Sequence, residues 1–165
     1  MKTGDKIPEF SLPDQDGRTV SYDEYRGSWL VLYFYPKDNT SGCTKEAVDF
    51  SALEGEFKKE GCRILGVSPD SSESHRKFRQ KHNLSITLLS DVDKNLLAAA
   101  GAGGIKKNYG KEYTGVIRST LLVNPEGEVA EIWRNVRVRQ KTKTCEILHA
   151  QKVLEKLREL KFRHR

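Results

Sequence analysis

The chain has 165 residues, of which 36% are hydrophobic and 32% charged. That length suits one domain whose core needs neither disulfides nor a structural metal, and no apolar run nears the roughly 20 residues that cross a bilayer. The formal net charge of +6 is uneven, because residues 134–165 hold 11 Lys/Arg against 3 Asp/Glu.

Residues 10–12 and 18–21 flank Asp16-Gly17, a strong turn pair, and read as an N-terminal β-hairpin. Residues 22–26 form one helical turn closed by Gly27. Residues 29–35, WLVLYFY, are a near-continuous apolar run, as a strand buried on both sheet faces requires. A helix over 43–60 follows, with Ala47, Phe50, Leu53 and Phe57 as its apolar stripe and Gly61 as its stop. Residues 63–68 read as a second buried strand. Asp70 and Glu73 resemble a capping box opening a polar helix to about His82. A third strand is expected at 85–89 and a short helix at 93–100, before a flexible Gly101-Ala-Gly-Gly104. Strands at 118–123 and 128–133 pair across Asn124-Pro-Glu-Gly127, and an amphipathic helix at 147–160 turns Ile147, Leu148, Val153, Leu154, Leu157 and Leu160 inward. The basic tail after it is expected to fray.

Two strand–helix units give parallel pairing, and the closing hairpin adds antiparallel strands. The expectation is one α/β domain over residues 1–165, with a mixed central sheet flanked by helices: a thioredoxin-like fold. No linker, repeat or low-complexity segment suggests a second domain. The first residues lack a hydrophobic signal core, so the expected location is the cytoplasm.

The chemistry concentrates where the first buried strand ends. Cys43 stands where a helix begins, beside unpaired N–H groups and the positive end of the helix dipole, which favour a thiolate over a thiol. Pro36 ends the strand, and Gly42 lets the chain bend tightly enough to present the sulfur. The Thr40 hydroxyl, one turn away, is able to cap the helix or to donate to a substrate oxygen. The three cysteines, Cys43, Cys62 and Cys145, form no C-x-x-C pair, which argues against a zinc knuckle and a dithiol reductase motif. His75, His82, His149 and His164 lack ligand-like spacing and read as surface or helix residues.

The segments GDKIPEFSLPDQDG, FYPKDNTSGCTKEA, LGVSPDS, KKNYGKEYTGVIRST and NPEGEVAEIWRNVRV occur in this order along nearly the whole chain. Together they closely resemble the peroxiredoxins, and within them the bacterioferritin-comigratory or Q-type group. The resemblance implies that Cys43 is the peroxidatic cysteine and that Pro36, Thr40 and Arg118 complete a peroxide site. It implies no metal, flavin or other cofactor, and makes thioredoxin, a glutaredoxin or another small thiol the reductant. Arg118 carries a rigid, permanently charged fork of donors suited to a thiolate and a peroxide oxygen, and Glu46 is a partner able to orient it.

The chain departs from those relatives in three places. Many Q-type members carry a resolving cysteine five residues after the peroxidatic one, where this chain has Val48. Others carry it on the next helix, which here holds none. That leaves Cys62, which reads as a packed apolar thiol, and Cys145, which lies beside Lys141 and Lys143 in what looks like an insertion at 140–148. A one-cysteine mechanism with an external thiol is therefore expected. Ser41 replaces the usual proline, and Gly103-Gly104 falls near a position where relatives often carry an aromatic residue.

Two other function classes fit the residues less well. One is a non-catalytic thioredoxin-fold module that binds an acidic partner or nucleic acid through the basic C-terminal segment. The other is a thiol-disulfide oxidoreductase, which would need a distant cysteine partner. Oligomeric state is expected to be monomer or weak homodimer.

Overall fold

A computed structural model describes residues 1–108 and 111–163, with 104–108 and 111–114 described by backbone alone. In chain order, β1 (Ser11–Pro13) and β2 (Thr19–Ser21) form the N-terminal hairpin, a 3-10 turn spans Tyr22–Tyr25, and β3 (Trp29–Phe34) follows. Next come α1 (Ser41–Lys59), β4 (Cys62–Ser68), α2 (Ser72–His82), β5 (Thr87–Ser90) and α3 (Asn95–Ala99). The second half holds β6 (Gly103–Asn108), β7 (Lys111–Val116), β8 (Ser119–Val123), β9 (Val129–Arg134), β10 (Arg139–Lys141), β11 (Glu146–Leu148) and α4 (His149–Arg163). The central five-stranded sheet runs β5-β4-β3-β8-β9. Its β3, β4 and β5 are mutually parallel, whereas β8 and β9 are antiparallel to their neighbours. The expected mixed sheet and N-terminal hairpin are present.

β3 explains why the sheet carries two cores. Successive side chains in a strand point to opposite faces. Leu30, Leu32 and Phe34 pack on one face with Leu121, Leu96 and Leu97. Val31, Tyr33 and Tyr35 pack on the other with Phe50 and Phe57 of α1, Phe78 of α2, and Val153, Leu154 and Leu157 of α4. All six of these residues from Leu30 to Tyr35 are at most 1% exposed, and each such aliphatic burial stabilises the fold by about 1.5–3 kcal/mol. The central strand thus rigidly anchors the loop at its C-terminal end. Gly61, at φ +71, follows the α1 C-cap Glu60 and turns the chain into β4, as expected of a helix-stopping glycine.

Several boundaries differ from the sequence reading for identifiable reasons. Ile147 and Leu148 belong to β11, where they pair with Gln140 and Arg139, so α4 begins only at His149. Their helical spacing was outweighed by this short hairpin. Ser71, rather than Asp70, caps α2, its hydroxyl accepting from Ser74 N–H at 3.1 Å. Asp70 is engaged elsewhere, by Asp38 and Ser68. The third strand starts at Thr87, and the short helix starts at Asn95 after Lys94 adopts φ +61. Gly103 and Gly104, expected to be flexible, begin β6, which pairs with β7 from Gly103↔Val116 to Asn108↔Lys111. His164 lies outside the described residues. No helix among the described residues is long and apolar enough to cross a membrane.

Candidate active site

The sheet brings distant residues together at one end. β3 runs toward this end and releases the chain through Pro36 into α1. β8 runs the opposite way, so the residue that precedes it, Arg118, arrives at the same end. Arg118 lies one position outside the strand expected to contain it.

Cys43 is the third residue of α1 and is only 1% exposed. The first turn of α1 begins with Thr44 N–H donating to the Thr40 carbonyl at 2.8 Å. The Cys43 N–H therefore precedes the ladder and is one of the helix's unpaired donors. Arg118 Nη2 donates to Cys43 Sγ at 3.1 Å, and its Nη1 donates to Glu46 Oε1 at 2.7 Å. One guanidinium thus spans the sulfur and a carboxylate one helical turn away. Gly42 makes this approach possible, since a Cβ there would stand 3.3 Å from Arg118 Nη2. The expected orienting contact from Glu46 is present.

Glu46 is 1% exposed, and its Oε2 has no hydrogen-bond partner among the described residues. Burial drives its carboxyl up to about 7, although Arg118 pulls the other way through charge and hydrogen bond. Asp49, the next acidic residue on α1, adds to the upward push. The guanidinium beside these groups is correspondingly held charged, raised by Glu46 and Cys43 against its own burial.

Thr40 occupies the N-cap position of α1 in backbone conformation, but its hydroxyl does not cap the helix. It donates to the Lys37 carbonyl at 2.8 Å. With its hydrogen so committed, its oxygen is left as an acceptor for a donor entering from outside. The N-cap hydrogen bond read from the sequence is therefore not made. Pro36 is half-buried in the same loop.

The loop is pinned from below by groups that sequence reasoning missed. Asp38 is 7% exposed and accepts from Tyr35 Oη at 2.6 Å and Ser74 Oγ at 2.8 Å, and its Oδ2 lies 2.7 Å from His75 Nδ1. His75 Nε2–H donates to the Leu89 carbonyl at 2.9 Å. Asp38 N–H donates to Asp70 Oδ2 at 2.7 Å, and Ser68 Oγ donates to the same oxygen at 2.7 Å. His75 is thus a fully buried member of a network, not a surface residue. The segments PKDNT and SPDSSESH contain all these residues except Tyr35 and Leu89, but nothing in their spacing signals the contact. His149 is also buried, with Nε2 2.8 Å from Thr120 Oγ1. Asp38, Asp70 and His75 could share a metal ion by proximity. Asp38 and His75 are already engaged with each other and with Tyr35, Ser74 and Leu89, and Asp70 Oδ2 accepts from Asp38 N–H and Ser68 Oγ.

The other two thiols stand apart from this cluster. Cys62, the first residue of β4, is buried, its Sγ donating to the Arg63 carbonyl at 3.5 Å, and burial pushes its thiol up to about 12. Cys145 is exposed in the turn between β10 and β11, with Sγ 3.4 Å from Thr142 Oγ1. The β10–β11 hairpin is held to α1 by Arg139, whose Nε and Nη2 form a two-point ion pair with Asp49 at 3.1 and 2.7 Å.

Residues 3–132 match the model of the AhpC/TSA family. The chain belongs to that family. It is 46% identical over 139 residues to Peroxiredoxin Bcp of Bacillus subtilis, covering 84% of this chain and 88% of the relative. A structure of the Xanthomonas campestris bacterioferritin comigratory protein, described for its alkyl peroxide reduction activity, superposes with a TM-score of 0.82 at 41% identity. That match covers 91% of this chain and 90% of the other. A cysteine-to-serine mutant of Xylella fastidiosa PrxQ superposes at 0.86 with 35% identity, covering 96% of both chains. The family and the thioredoxin-like architecture inferred from the sequence are thereby established, within the Bcp or Q-type peroxiredoxins.

Proposed function

We propose that this peroxiredoxin reduces hydrogen peroxide and organic hydroperoxides with Cys43 as the attacking thiolate. The observation that carries the reading is the single guanidinium of Arg118 lying 3.1 Å from Cys43 Sγ and 2.7 Å from Glu46. In the reaction the sulfur bonds to one peroxide oxygen and the O–O bond breaks. The other oxygen leaves with the electron pair and takes a proton to become water or an alcohol. Negative charge grows on that leaving oxygen, where fixed donors lower the barrier most. Arg118 and the free N–H groups at the start of α1 are such donors, and the Thr40 oxygen accepts the peroxide O–H. Pro36 and Gly42 shape the loop around them.

Cys43 becomes a sulfenic acid, which an external thiol attacks to form a mixed disulfide, and a second thiol then releases Cys43. Thioredoxin, a glutaredoxin or a small thiol fits this one-cysteine cycle, in the cytoplasm and in a monomer or weak homodimer. Cys62 suits a resolving role poorly, being buried with its thiol pushed up to about 12. Cys145 is the remaining internal candidate because its hairpin is tied to α1 through Arg139 and Asp49.

The binding-module reading loses its main support. Much of the basic C-terminal segment is neutralised within the chain: Arg139 by Asp49, Lys156 by Glu131, Arg158 by Glu56 and Glu60, and Lys161 by Glu60. The test is peroxide consumption by Cys43→Ser and Cys62→Ser with a thiol reductant. The first variant should lose turnover and the second retain it; full activity without Cys43 overturns the mechanism.

A further inference from the structure

The start of α1 buries three ionisable groups in a row. Cys43, Glu46 and Asp49 follow at intervals of three residues and are 1%, 1% and 5% exposed. Residues three apart on a helix are neighbours, with Cβ atoms about 5–6 Å apart. Glu46 therefore stands between the reacting sulfur and a second carboxylate. Arg118 serves the first two groups, donating to Cys43 Sγ at 3.1 Å and to Glu46 Oε1 at 2.7 Å. Asp49 is served from elsewhere, by the two-point pair with Arg139 at 3.1 and 2.7 Å. Among the described residues no other side chain donates to that carboxylate.

Arg139 opens β10, at the base of the hairpin built by the segment in which this chain departs from its relatives. Glu146 of β11 lies on its other side, 3.9 Å from Nη1. The groups around Glu46 come from every element packed there. Cys43 and Asp49 lie on α1 itself, and Arg118 enters from the start of β8. From β3, Tyr33 feels the Glu46 charge, but burial pushes its hydroxyl well above the ordinary range and keeps it neutral. From α4, His149 packs edge-on against Phe50, and burial holds it down to about 4, so it is neutral too. The like charges facing Glu46 are thus the Cys43 thiolate, which Arg118 offsets, and Asp49, which Arg139 offsets.

We propose that Arg139 is a positioning residue of the peroxide site: by neutralising Asp49 it lets Glu46 ionise, and ionised Glu46 holds the Arg118 guanidinium against the Cys43 sulfur. This rests on the peroxidase reading above. A like charge one helical turn away favours the neutral form of a carboxyl. Glu46 already stands near 7 through burial, with Asp49 adding to the push. Baring Asp49 moves the balance further toward the neutral acid, whose hydrogen bond to Arg118 lacks the second charge that makes such bonds short and strong.

The experiment reads Glu46 and turnover separately, in wild type, Arg139→Gln, Asp49→Asn and the Asp49→Asn/Arg139→Gln double variant. The infrared carbonyl band of the protonated Glu46 carboxyl, identified by its loss in Glu46→Gln, is titrated across neutral pH. Arg139→Gln should raise its midpoint by about one pH unit, a tenfold change in the protonation equilibrium. Asp49→Asn and the double variant should lower it. The kcat/KM of Arg139→Gln for hydrogen peroxide should fall about three- to tenfold near neutral pH and approach wild type at alkaline pH, where Glu46 ionises in both. The double variant should recover the rate, although the tie between hairpin and α1 is still cut. A deficit equal at every pH, or one that the double variant keeps, would make Arg139 a structural tether and overturn the proposal. Asp49→Asn leaves no buried carboxylate unpaired at that position, so it folds where Arg139→Gln is too unstable to purify, and an unmoved midpoint in it also overturns the proposal while leaving the peroxidase intact. A wild type that consumes no peroxide instead removes the peroxidase reading, and the positioning role with it.

Discussion

Arg118 and Cys43 are 75 residues apart in sequence, yet the guanidinium donates to the sulfur at 3.1 Å. The sheet makes this contact: an antiparallel β8 beside β3 returns the chain to the end where α1 starts. The contact directs the first prediction. Arg118→Met removes donors aimed at the thiolate and the leaving oxygen, and should lower kcat/KM for hydrogen peroxide by about 10²- to 10³-fold. Stopped-flow measurement of peroxide consumption checks it, and Arg118→Lys should recover only part of the loss because an ammonium lacks the fork.

Gly42 separates activity from stability. A Cβ at this position meets Arg118 Nη2 at 3.3 Å, tighter than most real contacts, so the guanidinium that contacts the sulfur must give by a few tenths of an ångström. Alanine is the better helix former by about 1 kcal/mol at an interior site and by less in a first turn. Gly42→Ala should therefore slow peroxide reduction about tenfold while leaving the urea midpoint unchanged or raised. A variant as active as wild type would show that the guanidinium adapts without cost.

Glu46 gives the fold a definite pH dependence. Its carboxyl stands near 7 in the folded chain against an ordinary 4.5, because burial outweighs the attraction of Arg118. Between those values the folded state binds more protons than the unfolded one, so this group's contribution to stability falls as pH rises from about 4.5 through 7. The change is on the order of 3 kcal/mol. Glu46→Gln cannot titrate. Its stability relative to wild type should therefore improve from pH 5 to pH 8, as read by urea unfolding at both values. A constant difference between the two proteins would mean that Glu46 stays ionised throughout.

Asp38 holds the loop from which Thr40 projects. Replacing it with alanine leaves the Tyr35 and Ser74 hydroxyls and His75 Nδ1 without their buried acceptor. Such losses cost about 2–4 kcal/mol in buried networks. Asp38→Ala should lose that much stability in chemical denaturation and should also turn over peroxide more slowly, because the Lys37 carbonyl that fixes the Thr40 hydroxyl is adjacent. An unchanged unfolding midpoint would remove the network from the account.

The legible parts of the chain were those in which one physical signal dominated. The apolar run of β3, the stripe of α1 and the stop at Gly61 announced themselves because burial and backbone freedom leave few alternatives there. Cys43 and Arg118 were legible because their segments resemble a known family, the helix-terminus argument singled out Cys43 independently, and Glu46 followed as a carboxylate able to orient Arg118. The Asp38–His75 contact was not legible, since it joins the loop before α1 to α2 across 37 residues through polar side chains. The Thr40 cap was misjudged because only the loop conformation turns the hydroxyl toward the Lys37 carbonyl and away from the helix N–H groups. Ile147 and Leu148 carried a helical spacing that a three-residue pairing with β10 overrode.

The most direct test of the account is mass spectrometry of the Cys62→Ala/Cys145→Ala protein after one equivalent of hydrogen peroxide, with a sulfenic-acid trap present. The account predicts one added oxygen, captured by the trap, on the peptide that contains Cys43. Loss of the peroxide with Cys43 recovered unmodified would contradict it.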